Sequence, residues 1–218
     1  MADASQLMRE EVYWCLREDI LSCTLAPGTR LHEGVLAERF AVSKSPIRDA
    51  LSRLHAEKLV AVEPRKGYRV APISLADAAD LFEFRALLEQ SCAQAGAAQA
   101  DDAALQELDR FRTLGSWGGA EAFVAYNRAF HVAVVRLSPN RRMAETARSL
   151  IEQFDRLVVM SLSTIGDRNI EALVAEHNAV IDALQARDGR RAGKLLAQHV
   201  GRAERRVLNA LANAAIIP

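Results

Sequence analysis

Apolar residues recur at helical spacing along most of this 218-residue chain. In SQLMREEVYWCLREDILSC, residues Leu7, Val12, Leu16, Ile20 and Leu21 lie close to the 3.6-residue period and predict a first helix. The Pro-Gly of APGTR ends it, and EGVLAERF follows as a short second segment. In AVSKSPIRDALSRLHAEKLV, Ile47, Ala50, Leu51 and Leu54 stand at i, i+3, i+4 and i+7, which predicts a third helix with one apolar stripe. Ser45 reads as its cap and Pro46 as its first helical position. The period then changes. Val60 and Val62 alternate, as do Tyr68 and Val70, with EPRKG between them, predicting a β-hairpin with a tight basic turn. Pro72 closes this unit. From Ser74 onward there is no strand signal. Six helical stretches are predicted, at 74–98, 101–114, 119–137, 140–165, 168–187 and 189–213, with breaks at GSWGG (115–119) and at Asp188-Gly189.

The predicted fold class is therefore mostly α. A winged helix-turn-helix DNA-binding domain occupies residues 1–72, and an all-helical bundle of about six helices occupies 73–218. In helix-turn-helix proteins the second helix enters the major groove with its N-terminal residues against base edges. Here that end is SKSPIRDA. The apolar stripe turns inward and leaves Lys44, Ser45, Arg48, Ser52 and Arg53 outward or at the tip. Arg48 has the planar fork that grips a guanine edge. Arg65 and Lys66, beside Gly67 in the hairpin turn, suit phosphate or minor-groove contact.

Charge sharpens this picture. The whole chain is neutral, with 28 basic and 28 acidic residues, so no global field points to nucleic acid or membrane. Between Arg39 and Val70, however, eight basic residues face three acidic ones, a local excess of five. No apolar run is long enough to span a bilayer. MADASQLMREEVYW lacks the basic start and apolar core of a signal peptide. The three cysteines, Cys15, Cys23 and Cys92, are not spaced as metal pairs. Together these features predict a cytoplasmic protein with reduced thiols.

LAPGTRLHEGVLAERFAVSKSPIRDALSRLHAEKLVAVEPRKGYRV resembles the winged-helix domain of the GntR family of bacterial transcription regulators. Gly28, Leu31, Glu33, Leu36 and Ala37 match the first part of the family's pattern. Val42, Ser43, Ser45, Pro46, Ile47, Arg48, Asp49, Ala50 and Leu51 match the second, and Gly67 matches the wing. Lys44 stands where the family usually has arginine; it keeps the charge but lacks the planar fork.

Three of the five histidines lie in the bundle: His131, His177 and His199. His32 and His55 lie in the DNA-binding part and read as surface or packing residues. His177 stands eleven residues before Asp188 and His199 eleven after it, so an antiparallel hairpin would bring them level. Asn127 and His131, four apart, share a third helical face. Bundles build metal sites from side chains on facing helices, and a single buried histidine is commonly a satisfied core residue. Three imidazoles favour zinc, nickel or another borderline divalent ion.

The bundle is similar to the FCD domain of the FadR-type branch of the same family, with a helix number like that of its VanR-type subgroup. That resemblance implies a divalent-metal site at position 127 with His131, His177 and His199. Asn127 stands where many members have aspartate. It also implies a small organic-acid effector and a homodimer on a palindromic operator, with repression the commoner behaviour. Arg85 lies on the stripe Leu81, Arg85, Leu88 and Cys92, where a guanidinium needs a partner. The partner is either Glu89, one turn on, or a bound carboxylate effector. Two other readings are a regulator whose effector is the ion itself and a metalloenzyme. Against an enzyme, no acid is placed as a general base, since Glu176 adjoins His177 but lies elsewhere on its helix.

Overall fold

A computed structural model describes residues 4–114, 119–162 and 168–213. The chain divides into two compact units, Met1–Ile73 and Ser74–Pro218. In the first, helix α1 (Ala4–Leu21) is followed by strand β1 (Arg30–Leu31), α2 (Glu33–Arg39), α3 (Lys44–Ala56), β2 (Val60–Glu63) and β3 (Gly67–Val70). The expected apolar stripe is the buried face of α3: Ile47, Ala50, Leu51 and Leu54 pack with Leu16, Ile20, Leu36 and Val70. The hairpin is an antiparallel pair with Val60 opposite Val70 and Glu63 opposite Gly67. The turn between its strands is closed by Lys66 N–H to the Glu63 carbonyl at 3.0 Å.

Two local readings change. The sheet has three strands, in the order β1-β3-β2, with Leu31 opposite Tyr68. A two-residue strand is too short to show alternation in sequence. The cap of α3 is Ser43 rather than Ser45, so Lys44 opens the helix and Pro46 sits third. Proline is accommodated there because the first-turn N–H groups have no intrahelical partner.

Both α2 and α3 end without glycine. After α2, Ala41 takes φ +52°, and the Ala41 and Val42 N–H groups bond the Glu38 and Ala37 carbonyls at 3.2 and 3.0 Å. After α3, Lys58 at φ +60° and Leu59 repeat the pattern onto His55 and Leu54. This is the Schellman arrangement, whose left-handed position glycine usually fills. A left-handed residue with a Cβ costs about 1–2 kcal/mol, and Ala41 is exposed. Ala41→Gly should therefore stabilise the chain by about 0.5–1 kcal/mol, read as a raised melting temperature. A lowered one would mean that the Ala41 methyl contributes to the turn.

The second unit contains α4 (Leu75–Gln99), α5 (Asp102–Gln106), a 3-10 turn (Glu107–Phe111), α6 (Gly119–Arg136), α7 (Arg141–Gln153), α8 (Asp155–Leu162), α9 (Arg168–Gln185) and α10 (Gly189–Asn213). Of the break expected in GSWGG (115–119), residues 115–118 lie outside the described residues and Gly119 opens α6. The stretch expected as one helix over 140–165 divides at Phe154, and its last residues are likewise outside the described ones. Phe154 is buried against Phe82, with ring centroids 4.4 Å apart, and Arg85 lies over its ring. With that division, seven α-helices follow the wing among the described residues. Helix number thus lends no support to the VanR-type subgroup.

The α9–α10 turn is a third glycine-free Schellman end. Arg187 holds φ +56°, and the Asp188 N–H bonds the Ala183 carbonyl at 2.9 Å. The Arg187 side chain offsets the strain by donating to the Ala97 and Ala100 carbonyls at 3.1 and 2.9 Å. Asp188 caps α10 by accepting the Arg191 N–H at 2.9 Å. Gly189 and Gly193 let α10 run close along α4: a Cβ at either would stand 2.8 Å from Gln94 atoms. These two contacts bring the helices bearing Glu89 and His199 to the same part of the core.

Candidate metal centre

Four helices of the second unit converge on three imidazoles. His131 on α6, His177 on α9 and His199 on α10 are all buried, and their ligand nitrogens lie within 4.8 Å of one another. The eleven-residue symmetry about Asp188 does bring His177 and His199 level: their Nε2 atoms are 3.3 Å apart. Phe130 stacks on the His177 ring at 3.9 Å and fixes its plane.

Each Nδ1 is held from behind. His131 Nδ1 donates to Glu89 Oε2 at 2.5 Å. His199 Nδ1 donates to Glu176 Oε2 at 2.6 Å. His177 Nδ1 stands 3.1 Å from the Tyr126 hydroxyl, which itself donates to the Phe111 carbonyl at 2.7 Å. The hydroxyl hydrogen is thereby used, so the oxygen accepts from His177. These partners assign the proton of every ring to Nδ1 and leave a lone pair on every Nε2. A hydrogen bond at one ring nitrogen sets the tautomer and directs the other nitrogen in this way in metal sites. His131 Nε2 is buried with no hydrogen-bond partner.

Electrostatics point the same way. Burial would push the Glu89 carboxyl up, but Arg85 and His131 outweigh it and hold it down at about 2. Burial pushes His131 down to about 4 and His177 well below its ordinary range. Burial also lowers His199, with Glu176 opposing. The imidazoles are therefore neutral at pH 7. Two lone pairs facing each other at 3.3 Å, with protonation disfavoured, are matched to a cation. Two nitrogens bound at about 2.0–2.1 Å to one tetrahedral ion stand about 3.4 Å apart. The donor set fits a divalent ion.

Asn127 lies one turn before His131, is buried, and lines the adjoining cavity with His131, His199 and Arg85. Arg85 is buried and its Nε pairs with Glu89. Arg85 also lines the cavity. Glu176 has a role that helical position alone did not suggest. It points away from His177 but reaches across the hairpin to His199, and it also pairs with Arg202 at 2.7 Å. Tyr126 and Arg206, the latter lining the same cavity, likewise carried no spacing signal.

In the first unit, Lys44, Ser45 and Arg48 are exposed at the start of α3, and Arg65, Lys66 and Gly67 at the hairpin tip. Arg48 Nε pairs with Glu33 at 2.7 Å. Arg53 is also exposed and has partners on α1. It donates to Glu10 at 2.6 Å and lies 3.7 Å from the Tyr13 ring centroid, both on α1. Five residues turn a helix by about 140° relative to Arg48, which sets Arg53 beside α1. His55 Nδ1 faces the Val60 carbonyl at 2.9 Å, a packing role.

Known proteins match both units. The model described as "Bacterial regulatory proteins, gntR family" matches residues 8–70, and the FCD domain matches residues 80–202. The chain is 28% identical over 200 residues to the HTH-type transcriptional repressor RspR of Escherichia coli K12, covering 90% of this chain and 87% of that one. It is 32% identical over 184 residues to an HTH-type regulator in an unstable DNA locus of Streptomyces ambofaciens, covering 83% and 76%. The structure of E. coli McbR/YncC shares the fold, with TM-score 0.78 at 22% identity over 89% of this chain and 94% of that one. With one model spanning the DNA-binding unit and the other most of the bundle, the chain belongs to the GntR family of transcription regulators that carry an FCD domain.

Proposed function

We propose that this regulator is a homodimeric repressor whose operator binding is controlled by a small carboxylate held beside a divalent metal ion in the FCD unit. The observation that carries the reading is the convergence of three Nε2 lone pairs, each with its Nδ1 proton engaged behind it. Asn127 Oδ1, His131, His177 and His199 would hold the ion. Three nitrogens and one neutral oxygen suit zinc or nickel better than calcium or magnesium. The ion supplies a positive charge with open positions for a carboxylate. Arg85 keeps Glu89 ionised, and Glu89 keeps the His131 tautomer.

Lys44, Ser45 and Arg48 would read the major groove, and Arg65, Lys66 and Gly67 the backbone or minor groove. A two-fold dimer places two such helices about one turn of DNA apart, hence a palindromic operator. The effector controls binding because it has different affinity for dimer states that differ in operator affinity.

The test is a thermal-shift screen of small carboxylates with and without zinc or nickel, followed by operator gel shifts with the hits. A carboxylate that stabilises only the metal-loaded chain and weakens operator binding is the expected result. If metal alone changes operator binding and no carboxylate does, the ion is the effector and the carboxylate reading falls. Glu176→Ala, which frees His199 Nδ1, should weaken zinc affinity about ten- to a hundredfold. Competition with a chromophoric chelator measures it, and unchanged affinity would remove Glu176 from the site.

A further inference from the structure

The cavity beside the imidazoles holds a second cation whose charge nothing in the metal reading uses. Arg206 lines it on α10, seven residues after His199. Seven residues bring a helix round to nearly the same face, about 10 Å further along its axis. Long helical side chains lean back toward the N-terminus of their helix, which from position 206 is the direction of His199.

The other guanidiniums nearby are engaged. Arg85 is taken by Glu89, and Arg202 by Glu176, whose other oxygen holds His199. Among the described residues no carboxylate pairs with Arg206, and it is half-buried. Burial lowers the pKa of Arg206 from its ordinary value, against the pull of Glu176. Its charge is thus held at a desolvation cost that a bound anion would offset. Phe82, Phe154 and Val207 supply apolar surface to the same cavity.

We propose that the cavity takes a small dicarboxylate, with one carboxylate at the imidazole end and the other held by Arg206 across an apolar gap. This rests on the metal-and-carboxylate reading above and adds the second anionic group. Three neutral imidazoles and a neutral Asn127 leave a bound divalent ion uncompensated, and Arg206 adds one more positive charge. A monocarboxylate can neutralise one end only. A dicarboxylate with a short methylene spacer meets both ends and the apolar wall.

The test titrates the zinc-loaded full chain by calorimetry with succinate, glutarate and adipate, and with butyrate, valerate and hexanoate as matched monocarboxylates. Zinc content is measured after each titration. The best dicarboxylate should bind at least tenfold tighter than any monocarboxylate, in keeping with one charge-assisted anchor. Arg206→Gln should bring it down to the monocarboxylate level while zinc content and monocarboxylate affinity stay unchanged. Arg206→Lys, which keeps the charge, should retain part of the preference. Monocarboxylates binding wild type as tightly as every dicarboxylate would overturn the proposal, and so would a preference that survives Arg206→Gln. If no acid of either series binds although zinc is retained, the carboxylate reading itself falls.

Discussion

Replacing His177 and His199 together by alanine is expected to remove bound metal and to erase any metal-induced rise in melting temperature. The two Nε2 atoms are 3.3 Å apart and are two of the three proposed nitrogen donors. His131 and the neutral Asn127 that remain cannot hold a divalent ion against solvent at micromolar protein. A ligand present at a thousand times its dissociation constant stabilises the folded state by about 4 kcal/mol, so the lost shift should be large. The comparison is made between metal-loaded and chelator-treated samples of each variant. Stability lost simply by truncating two buried side chains then appears in both samples and cancels. Metal content by elemental analysis is the direct readout; a stoichiometry equal to wild type would end the assignment of these residues.

Arg48→Ala is expected to abolish specific operator binding with little change in fold. Arg48 is exposed near the start of α3, and its partner Glu33 is a surface contact, of a kind that contributes little to stability. A bidentate arginine–guanine contact carries enough discrimination that losing one per half-site should weaken binding about thirtyfold or more. Non-specific binding should persist, because Lys44, Arg65 and Lys66 remain to meet phosphates. A gel shift against operator and scrambled DNA at fixed salt separates the two effects. Retained preference for the operator would move base recognition elsewhere on the unit.

Much of the site was legible because helices turn spacing into position. Asn127 with His131 is one turn of one face. The eleven-residue symmetry about Asp188 works because both arms are regular helices with the same rise. The α3 stripe was read residue by residue, since only one face of that helix can be buried. The helix boundaries were less legible. Ala41, Lys58 and Arg187 occupy left-handed positions where glycine would have announced the ends, and Phe154 divides a helix on account of the ring it packs against.

The sequence by itself determined the two-unit plan, the recognition helix, the basic turn and the three histidines. Each of these depends on periodicity or local charge, which neighbouring residues share. Tertiary structure decided which side chains stand behind the histidines. Glu89 reaches His131 across 42 positions, Tyr126 reaches His177 across 51 and Glu176 reaches His199 across 23. It also set Arg206 in the cavity wall. Those pairings depend on how closely α10 approaches α4 and how far each helix is rotated. Packing of the whole core fixes both, and no local pattern of residues encodes them.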